Sequence, residues 1–274
     1  MERFIEVPGG RLLVVDDGDG LPIVLLHAGI ADHRAWDPMI PGLVAAGLRP
    51  IRYDSRGFGR STTEDVEFSN RSDLMAILDG FLIGRAVVVG NSRGGQVAFD
   101  SAIEFPDRVA AVVGVGAGLG GFEGKVSPAE QTLFDEMERV EQANPQDADA
   151  IADIDVRVWV DGPGQPADRV PMAIREAVRA MDKPQYAPDR VIGRPIVLDP
   201  PAARRLSELR CPVLAVAGAL DVSDVIETAL HLQANAPNAR AVVLPDVAHM
   251  IGMEAPDQLN ALIVDFVGPL GPWG

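Results

Sequence analysis

The sequence predicts an α/β fold: a mostly parallel eight-stranded sheet with helices on both faces and an inserted helical cap. Three observations lead there. Strand-like apolar runs alternate with helical patterns along most of the chain. One stretch, 122–206, carries helical patterns and no convincing strand. A serine set among glycines, Gly90-Asn91-Ser92-Arg93-Gly94-Gly95, stands between a strand-like run and a helical one.

The elements follow in order. Residues 4–7 and 12–15 flank the turn Pro8-Gly9-Gly10 and read as an antiparallel hairpin. Strands then recur at 23–26, 49–53, 86–89, 110–115, 213–217 and 241–244. These later runs are continuous and rich in β-branched residues, as parallel strands covered on both faces require. Helices are predicted between them at 38–46, 71–81, 94–104, 225–235 and 256–267. In the last, Leu259, Leu262, Ile263 and Phe266 recur at helical spacing. Within 122–206, Ser127-Pro128-Ala129-Glu130 is a capping box with proline at the first helical position. It opens a helix over 128–141, and further helices are expected at 147–160 and 166–181. The core therefore spans 1–121 and 207–274, with 122–206 as the cap. The glycine- and proline-rich tail 268–274 reads as loose.

The chain of 274 residues is 47% hydrophobic and 23% charged, as expected of a globular protein able to bury a sizeable core. Its net charge of -16 and the lack of any basic cluster with interleaved aromatics exclude the usual nucleic-acid binder. No apolar run approaches a spanning helix of ~18 residues, and Met1-Glu2-Arg3-Phe4 does not begin a signal peptide. A cytoplasmic protein, monomer or homodimer, without a membrane partner is the expectation. Cys211 precedes Pro212 at the start of a strand and reads as structural. The four histidines and one cysteine form no metal-ligand pattern, and no G-x-G-x-x-G follows the first strand; neither metal nor cofactor is expected.

The chemistry gathers at Ser92. A serine at a tight strand-to-helix turn presents its hydroxyl above the sheet, and the Arg93 amide behind it opens a helix whose dipole favours an anion. Serine needs a base to take its proton. His249 lies in the loop before the last helix, the terminal slot in the order Ser…Asp…His. Asp221 lies just past the strand 213–217, where it can orient the imidazole. Asp224 reads instead as the N-cap of the helix starting at Val225. His27 suits a structural role, His33 a loop and His231 a helix surface. Two preorganised amides must hold the oxyanion: one from Arg93, the other from the loop His27-Ala28-Gly29-Ile30.

These motifs, with Tyr53-Asp54-Ser55-Arg56-Gly57-Phe58-Gly59-Arg60-Ser61, Gly218-Ala219-Leu220-Asp221 and Ala248-His249, resemble the α/β-hydrolase superfamily over nearly the whole chain. The segment from Gly29 to Asp37 is similar to 3-oxoadipate enol-lactonase and carboxylesterase relatives. The elbow is similar to that of the meta-cleavage-product hydrolases, which cut carbon–carbon bonds. Met250 stands where those enzymes usually carry Trp, and Ala28 where glycine is usual. The resemblance implies Ser92, Asp221 and His249 as the triad, with Gly29 as the second oxyanion donor. Asp54 and Arg56 would tie the neighbouring loop.

The implied reaction is hydrolysis of a small carboxylic ester or lactone through an acyl-enzyme. The alternatives are a carbon–carbon hydrolase, an acyltransferase or perhydrolase on the same triad, and a small-molecule receptor without turnover. Ile30, Trp159, Phe122, Phe134, Met172 and Tyr186 are candidate pocket walls, equally readable as cap core, and Trp159 heads them. Arg93 is uncommon after a nucleophile. It reads either as a clamp for a carboxylate-bearing substrate or, with more weight, as an arginine facing the surface or paired with a local acid.

Overall fold

The computed structural model describes residues 1–271. Its central sheet is built from β1 (Glu2–Val7), β2 (Gly10–Asp16), β3 (Leu21–Leu26), β4 (Leu48–Tyr53), β5 (Ala86–Asn91), β6 (Val109–Val115), β7 (Val213–Gly218) and β8 (Ala239–Leu244). They lie in the order β1-β2-β4-β3-β5-β6-β7-β8. β1 and β2 form the expected hairpin, turning at Gly9 with φ 71°. β2 runs antiparallel to β4, and every later neighbour is parallel. The order reverses around β3 and β5, and ligand chemistry collects at the strand C-termini beside such a reversal.

Alternate residues of the buried strands feed opposite layers, as a period of two demands. Val24, Leu26, Val88 and Val112 join one core with Leu74, Ile77, Phe99 and Leu232. Ile23, Leu25, Val87, Val89 and Val113 join the other with Trp36, Leu43, Leu259 and Ile263. Trp36 lies in the turn His33–Met39, and the other partners come from helices α1 (Ile40–Ala45), α2 (Asn70–Gly80), α3 (Arg93–Glu104), α7 (Ser223–Asn235) and α9 (Pro256–Val267). The segment expected to form the cap, called the cap below, contributes α4 (Pro128–Ala143), α5 (Ala148–Asp155) and α6 (Met172–Asp182), and α8 (Ile251–Glu254) precedes α9. Cys211 is buried with its thiol pushed up to about 11 by desolvation, which keeps it unreactive. No helix among the described residues is long and apolar enough to cross a membrane.

Several expectations need correction. The sheet gains a ninth, two-residue strand, Thr62–Thr63, on β2. A separate pair joins Glu67–Phe68 to Arg194–Pro195. Pieces this short carry no periodicity to read. β8 is an edge strand, mostly half-buried, with Val243 39% exposed, so it is not covered on both faces. The helix expected at 38–46 begins as a 3₁₀ turn, His33–Met39, capped by Asp32, which accepts from Arg34 N at 3.0 Å. The tail continues as a 3₁₀ turn at Gly268–Leu270, and residues 272–274 lie outside the described residues.

The cap keeps its capping box: Ser127 Oγ accepts from Glu130 N at 3.3 Å and Glu130 Oε2 from Ser127 N at 2.7 Å. The other Glu130 oxygen accepts from Ser223 N at 2.6 Å, fastening the cap to α7. Helix α7 starts two residues earlier than expected, with Val222 as N-cap. Asp224 therefore lies in its first turn, where its carboxylate receives the Gly124 amide. The second cap helix splits into α5 and a π-helical turn, Val156–Asp161. The third begins only at Met172, because Gly162 and Gly164 turn the chain with φ 93° and 73° and Pro171 precedes the first turn. Ala28, Ala31, Ala35, Met250 and Met253 of the core meet Val156, Val160, Val178 and Met181 of the cap in a third apolar cluster.

Candidate active site

Ser92 joins β5 to α3 with φ 54° and ψ −120°, a strained setting for a residue with a side chain. Neighbouring bonds hold it there. Ser92 N donates to Val115 O at 2.9 Å, and its carbonyl accepts from Gly95 N at 2.9 Å. The flanking glycines are required by close approach: a Cβ on Gly90 would lie 2.2 Å from Gly94 C, and one on Gly94 2.4 Å from Leu26 O. The local sequence therefore dictates the elbow.

Asp221 follows β7 in a loop pinned by Leu220 N to Val247 O at 2.9 Å. Its Oδ1 accepts from Val222 N at 2.8 Å, which fixes the carboxylate plane. Its Oδ2 meets His249 Nδ1 at 2.8 Å, with both side chains almost wholly buried. That contact leaves Nε2 of His249 as the free nitrogen. Asn91, beside the serine, donates its side-chain amide to Val115 O at 2.8 Å and to His249 O at 3.3 Å. The His249 loop is thereby tied to the elbow. Among the described residues the Ser92 hydroxyl makes no hydrogen bond; such contacts are often long before substrate arrives.

The amides of Gly29 and Arg93 donate to no acceptor among the described residues. A Cβ on Gly29 would meet nothing within 4 Å, so that backbone faces open space. His27 shapes the loop: Nε2 accepts from Ser55 N at 3.0 Å, and Nδ1 lies 2.7 Å from Ala28 O. Burial, and then the charge of Arg93, lower its pKa to about 4, so it is a neutral strut.

Asp54 and Arg56 tie their loop, as expected, through separate partners. Asp54 accepts from His33 N at 2.9 Å and Arg60 N at 2.8 Å, and pairs with His33 Nδ1 at 2.7 Å. His33 is thus a clasp rather than a mere loop residue. Arg56 binds Asp73 through two bonds of 2.7 Å. Asp32, His33 and Asp54 are near enough to share an ion. Asp54 already takes those donors, however, and Asp32 is engaged by Arg34 at 2.6 Å, so the group is a loop clasp and not a metal site.

The cap reaches the site through Trp159. Its ring lies 4.8 Å from that of His249, tilted by 48°. Phe134 lies behind it at 6.2 Å, and Ile30 packs into the cap–core cluster. Three other candidate walls belong elsewhere. Phe122 stacks on His231 of α7 at 4.1 Å. Tyr186 donates to Asp155 Oδ2 at 2.8 Å inside the cap. Met172 is 60% exposed and lines a surface cavity with Asp153, Arg157 and Glu176. It opens the outer face of α6, which the helical pattern alone could not orient.

Sequence reasoning passed over a clasp. Arg169 donates to Val160 O at 2.7 Å and Asp161 O at 2.8 Å, and binds Glu254 at 2.6 Å. Glu254 Oε1 in turn accepts from Ala248 N at 3.2 Å. The turn bearing Trp159 and the loop bearing His249 are thereby held together. Its members are distant in sequence and carry no shared motif, so no local signal marked them.

A family model for the alpha/beta hydrolase family matches residues 23–262. The chain is 28% identical over 360 residues to epoxide hydrolase B of Mycobacterium tuberculosis, covering 99% of each. It is 28% identical to the rhodomycin D methylesterase of Streptomyces peucetius, covering 88% of this chain and 89% of the relative. Among solved structures, a thermophilic esterase of Thermogutta terrifontis superposes with TM-score 0.76 at 25% identity, covering 98% of this chain and 99% of the other.

Proposed function

Since the chain belongs to the alpha/beta hydrolase family, we propose that it is a serine hydrolase that cleaves a small carboxylic ester or lactone. The observation that carries this reading is the buried Asp221–His249 pair, 2.8 Å apart, tied through Asn91 to the strained turn of Ser92. Asp221 holds the Nδ1 proton of His249, so Nε2 is the basic nitrogen. Nε2 takes the Ser92 proton as the hydroxyl oxygen attacks the carbonyl carbon. The tetrahedral oxyanion accepts from the amides of Gly29 and Arg93. The intermediate collapses, and the leaving alcohol takes the proton from His249. Water then attacks the acyl-serine by the same route, releasing the acid and restoring Ser92.

A serine at this position also weighs against epoxide opening, the activity named for the mycobacterial relative. Attack of Ser92 on an epoxide carbon would leave an ether, which water does not cleave under the same base. An ester intermediate is the one this machinery can resolve.

The direct test is covalent labelling with a fluorophosphonate, with Ser92→Ala as control, beside turnover of p-nitrophenyl esters and lactones. Stoichiometric labelling lost in Ser92→Ala is expected. Absence of labelling in the wild-type chain would end the reading. Dienone acids in the same assay test carbon–carbon cleavage; preferential turnover of those over esters would replace ester hydrolysis with that reaction.

A further inference from the structure

Arg93 is neither surface-facing nor paired with an acid. Its guanidinium carbon lies 4.5 Å over the Phe58 ring, and its Nε is buried without a partner. A second guanidinium, of Arg190 from the segment after the cap helices, lies 4.8 Å from the centre of the same ring. Arg190 donates Nε to Gly57 O at 2.9 Å and Nη1 to Gln185 O at 2.7 Å, both neutral acceptors. Neither arginine makes an ion pair among the described residues.

Other arginines without an ion pair among the described residues are exposed, except Arg3. Forty acids stand against 24 bases. Arginines nearby are matched: Arg56 with Asp73, Arg169 with Glu254 and Arg175 with Asp161. The acid within reach of Arg190's field, Asp182, is itself pushed upward by burial and by Asp155, which favours its neutral form. Two partly desolvated cations thus share one aromatic ring with nothing to balance them. Burial, opposed by Tyr53 and reinforced by Arg190, lowers Arg93 to about 10, and it stays charged at neutral pH.

We propose that Arg93 and Arg190 bind a free carboxylate on the acyl part of the substrate, so that the enzyme prefers half-esters of dicarboxylic acids, or lactones bearing a carboxylate, over neutral esters. The proposal rests on the serine-hydrolase reading for its chemistry. Placement selects the acyl part. His249 gives its proton to the leaving alcohol, so the alcohol lies on the side of His249 and Trp159. Arg93 instead faces Phe58, whose ring is 5.0 Å from that of His27 at the root of the oxyanion loop. A cavity of about 360 Å³ lined by Gly57, Met181, Gln185, Asp189 and Arg190 opens the Arg190 side of the pair to solvent. Guanidinium forks suit a carboxylate both in charge and in shape.

The test compares mono-p-nitrophenyl glutarate with p-nitrophenyl valerate in the wild-type chain, Arg93→Met, Arg93→Lys, Arg190→Gln and, as a surface control, Arg194→Gln. The ratio of kcat/KM, acidic over neutral, is the readout. We expect the wild type to favour the acidic ester, and the ratio to fall about tenfold or more in Arg93→Met and in Arg190→Gln. Arg93→Lys should keep much of it and Arg194→Gln all of it. High salt should lower the wild-type ratio. Calorimetric titration of Ser92→Ala with monobutyl glutarate reads binding without turnover, and Arg190→Gln in that background should abolish it. If Ser92-dependent turnover of the neutral ester is present while the ratio is the same in every variant, the acid site is wrong and the hydrolase reading stands. If neither ester is turned over yet Ser92→Ala binds the half-ester through Arg190, the hydrolase reading fails and the acid site stands.

Discussion

Asp221→Asn isolates the contribution of the orienting carboxylate, and the structure sets its size between two limits. Asp221 Oδ1 accepts the Val222 amide at 2.8 Å while Oδ2 faces His249 Nδ1 at 2.8 Å. In the amide, the oxygen must stay with Val222 N–H, and the NH₂ then points at Nδ1. Two donors cannot face each other, so the imidazole proton moves to Nε2. A protonated Nε2 cannot accept from Ser92, and this loss of the right tautomer costs about 10⁴ in rate, or about 5.5 kcal/mol. The escape is to flip the amide and confront Val222 N–H with NH₂ instead. That leaves a buried donor unsatisfied at about 1–3 kcal/mol, or about 5- to 150-fold. We therefore expect kcat to fall by between about fivefold and about 10⁴-fold, with little change in KM. The assay is steady-state hydrolysis of p-nitrophenyl butyrate at pH 8, with thermal denaturation confirming a folded variant. A folded Asp221→Asn whose kcat stays within about twofold of wild type would refute the assignment.

Other predictions follow from the same geometry. Gly29→Ala should fold with unchanged Tm, because its Cβ meets no atom within 4 Å, yet lose activity on bulky acyl groups as the methyl enters the oxyanion space; equal kcat/KM across acyl sizes would contradict this. Trp159→Ala should raise KM chiefly for esters of large alcohols, since the ring lies 4.8 Å from His249; a uniform effect across alcohols would remove Trp159 from the leaving-group side. The Asp182 carboxyl is raised by burial first and by Asp155 second, so the folded chain retains a proton that the unfolded chain releases near pH ~4. The native state then binds more protons above that pH, and stability falls as pH rises. Tm should drop between pH 5 and 8, and Asp182→Asn should flatten the drop; an identical slope would show that the proton is not held there.

What could be read from the sequence was what is local. The elbow glycines, the alternating strand runs and the Ser127–Glu130 capping box are each fixed by neighbours a few residues away, and the structure reproduces them. Asp221 and His249 were placed by chain order, and their 2.8 Å contact brings the loops after β7 and β8 together. What escaped depends on tertiary partners. Met172 satisfies an apolar helical pattern, yet only the docking of α6 decides that it faces outward. Phe122 found a stacking partner on His231, far along the chain. Asp224 satisfies an N-cap preference, but the helix begins two residues earlier and frees it to hold Gly124. The pairing state of Arg93 is invisible in sequence, because an unmatched cation is defined by acids that fold elsewhere.

The π-helical turn Val156–Asp161 accommodates an extra residue relative to an α-helix. Deleting one residue from it would restore the ordinary repeat and swing all that follows by about 100° around the axis. The indole would leave the imidazole, and Arg169 would lose the carbonyls of Val160 and Asp161 that it now grips. The length of this one segment therefore sets where the indole stands: single-residue insertions or deletions there would re-aim it and loosen the clasp on the His249 loop, while leaving the sheet and the turn at Ser92 untouched.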